Sequence, residues 1–221
     1  MHFSLLAWTG RALRKAGTEL LRISSVEGTW IDVGAHHGEL TLGCAIRNPG
    51  LRVYAFEPNL RVAASLIGRA PNFIVIPMAV AETDGHAQFH TNTFDAASSI
   101  LPMDEDMRRA WIGGQALHVD SITTVATIRL DNFMDLSKIT SVDFLKIDTQ
   151  GMDLAVLRSA GSRLRDIRKI TLEVDLSPRP LYRGAASKSD ILEFMSAAGF
   201  KLISVEKQSH GQEENLTFVP S

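Results

Sequence analysis

The sequence predicts an α/β protein built on a mostly parallel sheet with helices on both faces. Three observations carry that reading. Short apolar runs of strand character alternate with segments of helical periodicity along most of the chain. The first run ends in the glycine-bearing turn Gly34-Ala-His-His-Gly38, and the second ends in the pair Glu57-Pro58. In such sheets ligands bind beyond the carboxyl ends of the strands, near a switch in strand order. The residues that follow the strands are therefore the first site candidates: Asp32 to Gly38, Glu57, Ala79, Asp148 and Glu173.

Element by element, Leu5, Trp8, Ala12, Ala16, Leu20 and Ile23 recur at helical spacing, which predicts an amphipathic helix over 3–23. Residues 1–28 then form an N-terminal extension ahead of a domain spanning 29–221. Arg11, Arg14 and Lys15 follow the short apolar stretch, the reverse of a signal peptide's order. Four basic and two acidic residues in 1–27 are compatible with contact at a membrane surface. The simpler expectation is a helix laid over the core.

Trp30–Val33 reads as the first strand, followed by a helix from about Glu39 to Arg47 that Asn48-Pro-Gly50 stops. Leu51–Phe56 is the second strand. Asn59 caps a helix through Arg69, and Phe73–Ile76 is the third strand. Val142–Ile147 is a fourth, with a helix opening at Gly151 and ending near Gly161, and Ile170–Val174 is a fifth. Ser187 and Asp190 have capping-box spacing for a helix ending at Gly199. Phe200–Val205 and Leu216–Val219 close the sheet, joined by the polar stretch 206–215. The segment from about 82 to 121 is too long for a simple connection and is expected to be an irregular, lid-like insertion.

Composition narrows the function. The chain has 221 residues, 45% apolar and 22% charged, with a net charge of −2. That balance carries no basic footprint for nucleic acid. One cysteine, Cys44, excludes an internal disulfide and fits a reducing compartment, so the expected location is the cytoplasm. No run of 18 apolar residues exists, and no transmembrane segment is expected. The expected partner is a small-molecule or glycan acceptor.

The turn after the first strand discriminates between cofactors. A dinucleotide fingerprint begun at Gly34 needs glycine where His36 and Glu39 stand, and Glu39 would repel a pyrophosphate. A dehydrogenase is thereby disfavoured. Asp32, two residues before Gly34, suits a cofactor bearing an ammonium and a sulfonium, such as S-adenosylmethionine. Glu57 at the end of the second strand can accept both ribose hydroxyls.

Ile31-Asp-Val-Gly-Ala-His-His-Gly38, Tyr54-Ala-Phe-Glu-Pro-Asn59, Ala97-Ser-Ser-Ile100, Thr127-Ile-Arg-Leu-Asp131 and Asp143-Phe-Leu-Lys-Ile-Asp-Thr-Gln-Gly-Met-Asp153 resemble, in order, the motifs of the FkbM family of methyltransferases. The resemblance spans about 29–206. It implies the class I methyltransferase Rossmann-like fold, with a seven-stranded sheet, and S-adenosylmethionine-dependent O-methylation of a sugar, glycolipid or polyketide-like hydroxyl. The family's cofactor residues carry over to Asp32, Gly34, Ala35, Gly38, Glu57 and Pro58. His36 stands where the family commonly has Asn, and is expected still to hydrogen-bond the cofactor. Gln150 stands where it commonly has Glu, and cannot serve as a base.

An acceptor hydroxyl must lose a proton, so a general base is needed. Asp148 is the first candidate, His37 the second, and Glu173, which resembles the family's acid there, is expected to orient the acceptor. A divalent metal held by Asp148 with Glu173 or Asp175 is an alternative that is not favoured. His86 and His90 sit on one side of an expected strand and are a weak metal signal, with surface exposure the simpler expectation, and Cys44 reads as a core residue. Phe94 and Trp111 either anchor the insertion or stack on a sugar. Residues 82–120 hold seven acids and two bases, which points to a neutral acceptor. The competing class is a catalytically silent cofactor-binding module with a protein partner; Asp32 and Glu57 speak against it, and Gln150 for it.

Overall fold

The computed structural model describes residues 27–221. The helix expected over 3–23 lies outside the described residues. One sheet of seven strands runs through the molecule in the order β3-β2-β1-β7-β8-β10-β9. Its strands are β1 (Gly28–Val33), β2 (Leu51–Phe56), β3 (Phe73–Ile76), β7 (Phe144–Ile147), β8 (Ile170–Asp175), β9 (Phe200–Gln208) and β10 (Glu213–Pro220). All neighbouring pairs from β3 to β8 are parallel, and β10 runs antiparallel between β8 and β9. Strand order reverses between β1 and β7, so the cleft expected at such a switch opens at their carboxyl ends.

Apolar alternation explains the central strands. Ile31, Val33, Leu145 and Ile147 point into one core with Leu130, Met134, Val156 and Leu157. Trp30, Val53, Ala55 and Phe144 pack into the other with Leu42, Cys44 and Leu66. Helices α1 (Leu42–Arg47), α2 (Leu60–Leu66), α4 (Leu130–Leu136), α5 (Asp153–Ser159) and α6 (Lys188–Ala197) supply the covering layers. Asn59 caps α2 through a bond from the Arg61 N–H, and the Ser187–Asp190 capping box opens α6. Both closing strands run longer than expected, taking in most of the polar stretch 206–215.

Two boundaries differ for local reasons. The first helix begins at Leu42 rather than Glu39, because Glu39 reaches back to the His36 ring and Thr41 turns its hydroxyl to Asp32. The helix capped by Asn59 ends at Leu66, because the next residues leave helical geometry and Gly68 is left-handed.

The segment 82–121 is not irregular. It contains β5 (Gly85–Asn92), a short helix α3 (Glu105–Ala110) and the start of β6 (Val119–Ile128). β5 and β6 pair antiparallel and join β4 (Ala79–Val80) in a second sheet of three strands, ordered β4-β6-β5. Only Ala79, Phe89 and Val125, with Ile100 against them, form its core. The first part of β6 is wholly exposed, so it lacks the alternation that marks a half-buried strand.

Gly34 is the backbone position on which the cleft floor turns. Its φ is +74°, and a Cβ there would lie 1.9 Å from the Asp148 carbonyl oxygen. Gly68 has a similar φ of +79° with open space around it. Gly68→Ala should therefore cost only the left-handed backbone penalty of about 1–2 kcal/mol, and Gly34→Ala clearly more, as read by urea unfolding. Equal losses for the two variants would contradict the contact between β1 and β7 described above.

Candidate functional site

A cleft of about 1120 Å³ lies at the carboxyl ends of the parallel strands. Gly34, Ala35, His36, His37, Glu57, Pro58, Ala79, Asp148 and Glu173 all line it. Asp32 and Gly38 do not. Gly38, with φ +73°, closes the turn by donating its N–H to the Ala35 carbonyl, and Asp32 is buried beneath the turn.

Asp32 is held from two sides. The Thr41 hydroxyl donates to one oxygen at 2.5 Å, and the Lys146 ammonium pairs with the other at 3.1 Å. Lys146 also donates to the Gly34 carbonyl at 2.6 Å and lies 3.6 Å from Asp148. Burial opposes the lysine's charge, but Asp32 and Asp148 outweigh burial and keep it protonated. Burial raises the Asp32 carboxyl, against the lowering effects of Lys146 and Thr41. β7 thus carries a cation to the floor of the turn, where it neutralises the acid that β1 brings.

Glu57 is buried at the end of β2, and each of its oxygens accepts one backbone N–H, from His36 and from Asn59, both at 2.8 Å. A carboxylate offers about four acceptor positions, so two remain for donors in the cleft. Burial raises its pKa, and the two backbone N–H groups work against that rise.

Asp148 follows β7 and keeps about a third of its side chain exposed, at 31%. The Gln150 amide donates to Asp148 at 2.9 Å and to Glu173 at 3.1 Å, while its carbonyl accepts from Tyr182 at 3.0 Å. Gln150 therefore cross-links the first candidate base to the candidate orienting acid. A carboxylate at that position would repel both. Burial, then Glu213, Asp148 and Asp153, push Glu173 well above the ordinary range. Asp175 turns away, accepting N–H bonds from Ser177 and Leu181.

The histidine pair has another anchor. His36 Nδ1 lies 2.8 Å from Glu39, its Nε2 lies 3.0 Å from Asp95, and His37 Nε2 lies 3.3 Å from the second Asp95 oxygen. Burial opposes charge on His36, and Glu39 and Asp95 raise it to about 9. Asp95 is a residue that sequence reasoning missed, since it falls between the second sheet and α3. Phe94 and Trp111 both pack against the small cluster of Ala97, Met103, Leu117, Leu181 and Tyr182 and line the cleft. Cys44 is buried in α1.

A seven-stranded sheet in the order β3-β2-β1-β7-β8-β10-β9, with β10 antiparallel and a cleft at the β1/β7 switch point, is the class I methyltransferase Rossmann-like fold. The chain belongs to the FkbM methyltransferase family: the family's profile, described as Methyltransferase FkbM domain, matches residues 32–202. It is similar to 2-O-methyltransferase NoeI of Sinorhizobium fredii (strain NBRC 101917 / NGR234), 24% identical over 179 residues, covering 78% of this chain and 72% of that one. Among solved structures it is similar to magnesium protoporphyrin IX methyltransferase (ChlM) of Synechocystis PCC 6803 with bound SAM (12% identity, TM-score 0.57, covering 96% and 80%). It is also similar to TrmK of M. capricolum in complex with S-adenosyl-homocysteine (8% identity, TM-score 0.53, covering 93% and 68%). The protein is an S-adenosylmethionine-dependent methyltransferase. Among the described residues, no helix is long and apolar enough to cross a membrane.

Beneath the cleft, Asp153 is fully buried, and burial followed by the charge of Asp148 lifts it from 3.8 to about 7. A folded-state pKa above the unfolded one means that the native state holds the proton more tightly. Asp153 thus contributes stability at low pH that is lost as pH rises from about 4 to 7, on the order of 2–4 kcal/mol. Asp153→Asn should flatten that decline in urea unfolding across this range. An unchanged slope would show Asp153 ionised throughout.

Proposed function

We propose that the chain is an O-methyltransferase acting on a hydroxyl of a sugar, glycolipid or related natural product, with Asp148 as the general base. The observation that carries this reading is the position of Asp148: a partly open carboxylate in the same cleft as the cofactor turn and Glu57. The similarity to a 2-O-methyltransferase supports the choice of oxygen as acceptor.

The residues present fit the cofactor by the chemistry of their donor set. Glu57 has free acceptor positions for the ribose hydroxyls, and the cleft is lined by acids suited to a cationic sulfonium and ammonium. Gly34, Ala35, His36 and Pro58 form the turn and wall beside it, Ala79 the far side, and Asp32 and Gly38 fix the turn from below. Bound S-adenosylmethionine supplies an electrophilic methyl group. The protein's part is positioning and proton removal. Gln150 fixes one oxygen of Asp148, Tyr182 fixes Gln150, and Lys146 stands 3.6 Å from the other oxygen, which holds the carboxylate at the cleft wall. Glu173, held toward its neutral form, orients the acceptor by hydrogen bonding. His37 is the weaker base candidate because Asp95 already engages its Nε2.

A neutral acceptor is favoured, for a different reason from the charge of 82–120. Several acids in that segment are locally paired: Asp104 with Arg179, Glu105 with Arg108, and Glu82 with Arg158. Glu39, Asp148 and Glu206, which line the cleft, instead disfavour a polyanion.

Asp148→Asn keeps the shape and removes the basicity, so turnover measured as S-adenosylhomocysteine release on a glycoside panel should fall by about 10²–10⁴ with cofactor affinity little changed. Collapse of cofactor binding would make Asp148 a cofactor ligand instead. Glu57→Ala should weaken S-adenosylmethionine binding by about 1.5–3 kcal/mol in calorimetric titration. An unchanged Kd would remove Glu57 from the site. Efficient methylation of a polyanion at low salt, with neutral glycosides untouched, would overturn the acceptor class.

A further inference from the structure

One cluster of titratable groups stands at the cleft's edge, away from Asp148 and Glu173. The ring nitrogens of His36 and His37 and the carboxylate of Asp95 converge there, with one ligand atom from each lying within 4.8 Å of the others. We infer that His36 Nε2, His37 Nε2 and Asp95 form a binding site for a divalent transition-metal ion of the zinc type.

The spacing fits such an ion. In a tetrahedral zinc site with bonds of about 2.0–2.1 Å, neighbouring ligand atoms stand about 3.3 Å apart. Here Asp95 Oδ1 lies 3.0 Å from His36 Nε2 and Asp95 Oδ2 lies 3.3 Å from His37 Nε2, so the carboxylate faces both rings at about that spacing. The donor set fits as well, since two imidazoles and one carboxylate suit zinc or cobalt better than the oxygen-seeking magnesium or calcium. A second shell is already built. Glu39 accepts from His36 Nδ1 at 2.8 Å, which would hold the proton on Nδ1 and leave Nε2 as the ligand atom once an ion displaces its proton. The three side chains are between a quarter and a half exposed, at 25% for His36, 48% for His37 and 41% for Asp95, so an ion can reach them from solvent.

Backbone geometry brings the two rings side by side. His36 has a φ of +49°, and its N–H is tied to Glu57, which turns consecutive side chains toward Asp95 with ring centroids 4.2 Å apart. Binding forms two metal–nitrogen bonds and one metal–oxygen bond, and any proton on Nε2 leaves to solvent. The ion joins the turn between β1 and α1 to the segment after β5, two parts of the chain that otherwise meet here through hydrogen bonds. Three protein ligands leave a fourth position for water or for an oxygen entering the cleft.

The test uses the untagged full chain, freed of metal by chelator and titrated with Co²⁺. Visible absorption bands of tetrahedral Co²⁺ should appear at one equivalent and vanish on adding Zn²⁺. Asp95→Asn and His37→Ala should each abolish the bands, and Glu39→Gln should weaken Co²⁺ binding about 10–100-fold. His86→Ala, on β5 outside the cluster, should leave the bands intact. Zn²⁺ should also raise the Tm of the wild-type chain and not that of Asp95→Asn, which reads the site without an optical probe. No bands and no Tm shift in the wild type would overturn the proposal. Bands that survive both Asp95→Asn and His37→Ala would overturn it equally.

Discussion

Lys146 is carried into the middle of the sheet by β7, between the buried side chains of Leu145 and Ile147, and is itself only 7% exposed. An unpaired ammonium there would be strongly destabilising. It persists because Asp32 of β1, the Gly34 carbonyl and Asp148 supply oxygens around it. Those groups belong to the two central strands and to the turns that follow them. One buried cation therefore sets the register between β1 and β7 at their carboxyl ends, the spacing of the cofactor turn over Asp148, and the charge balance of the cleft floor. Ion pairs of this kind contribute little net stability against an apolar alternative, yet breaking one partner costs heavily. Here the pair's value lies in fixing geometry.

The cleft wall is assembled outward from that floor. Gln150 has a φ of +55°, and its amide spans from Asp148 to Glu173, with Tyr182 completing the chain to the Ala97 carbonyl. The Ser99 hydroxyl donates to the Gln150 carbonyl at 2.8 Å, which ties the segment after β5 to the same network. Hydrogen bonds therefore connect the base candidate, the orienting acid and the insertion. A neutral amide at position 150 is what allows two acids to approach one another without a shared positive charge.

Much of the fold was legible because its central strands are buried on both faces. β2 and β3 have the bounds that apolar runs alone predict, and β1, β7 and β8 differ from prediction by one or two residues. Of the second sheet only a strand through His86 and His90 was legible, since β5 contributes little beyond Phe89 to a core, and the first six residues of β6 are exposed. Its signal was present in a different form: Val119–Ile128 is rich in β-branched residues even without alternation. That the turn and Glu57 lie together on the cleft was readable from their places after the first two strands. Lys146 was not singled out, although a lysine within Val142–Ile147 demands a buried acid, and Asp32 and Asp148 were both at hand. Asp95 and Tyr182 could not be read, because their relation to the cleft exists only once distant segments pack.

The most direct test of the role assigned to Lys146 is a double-mutant cycle on Asp32→Asn and Lys146→Met, read by urea unfolding and by S-adenosylmethionine titration together. Each single change should cost about 3–5 kcal/mol of stability and weaken cofactor binding, and the double variant should lose clearly less than the sum of the two. Additive losses, or single variants that retain both stability and cofactor affinity, would contradict the claim that this ion pair holds the floor of the cleft.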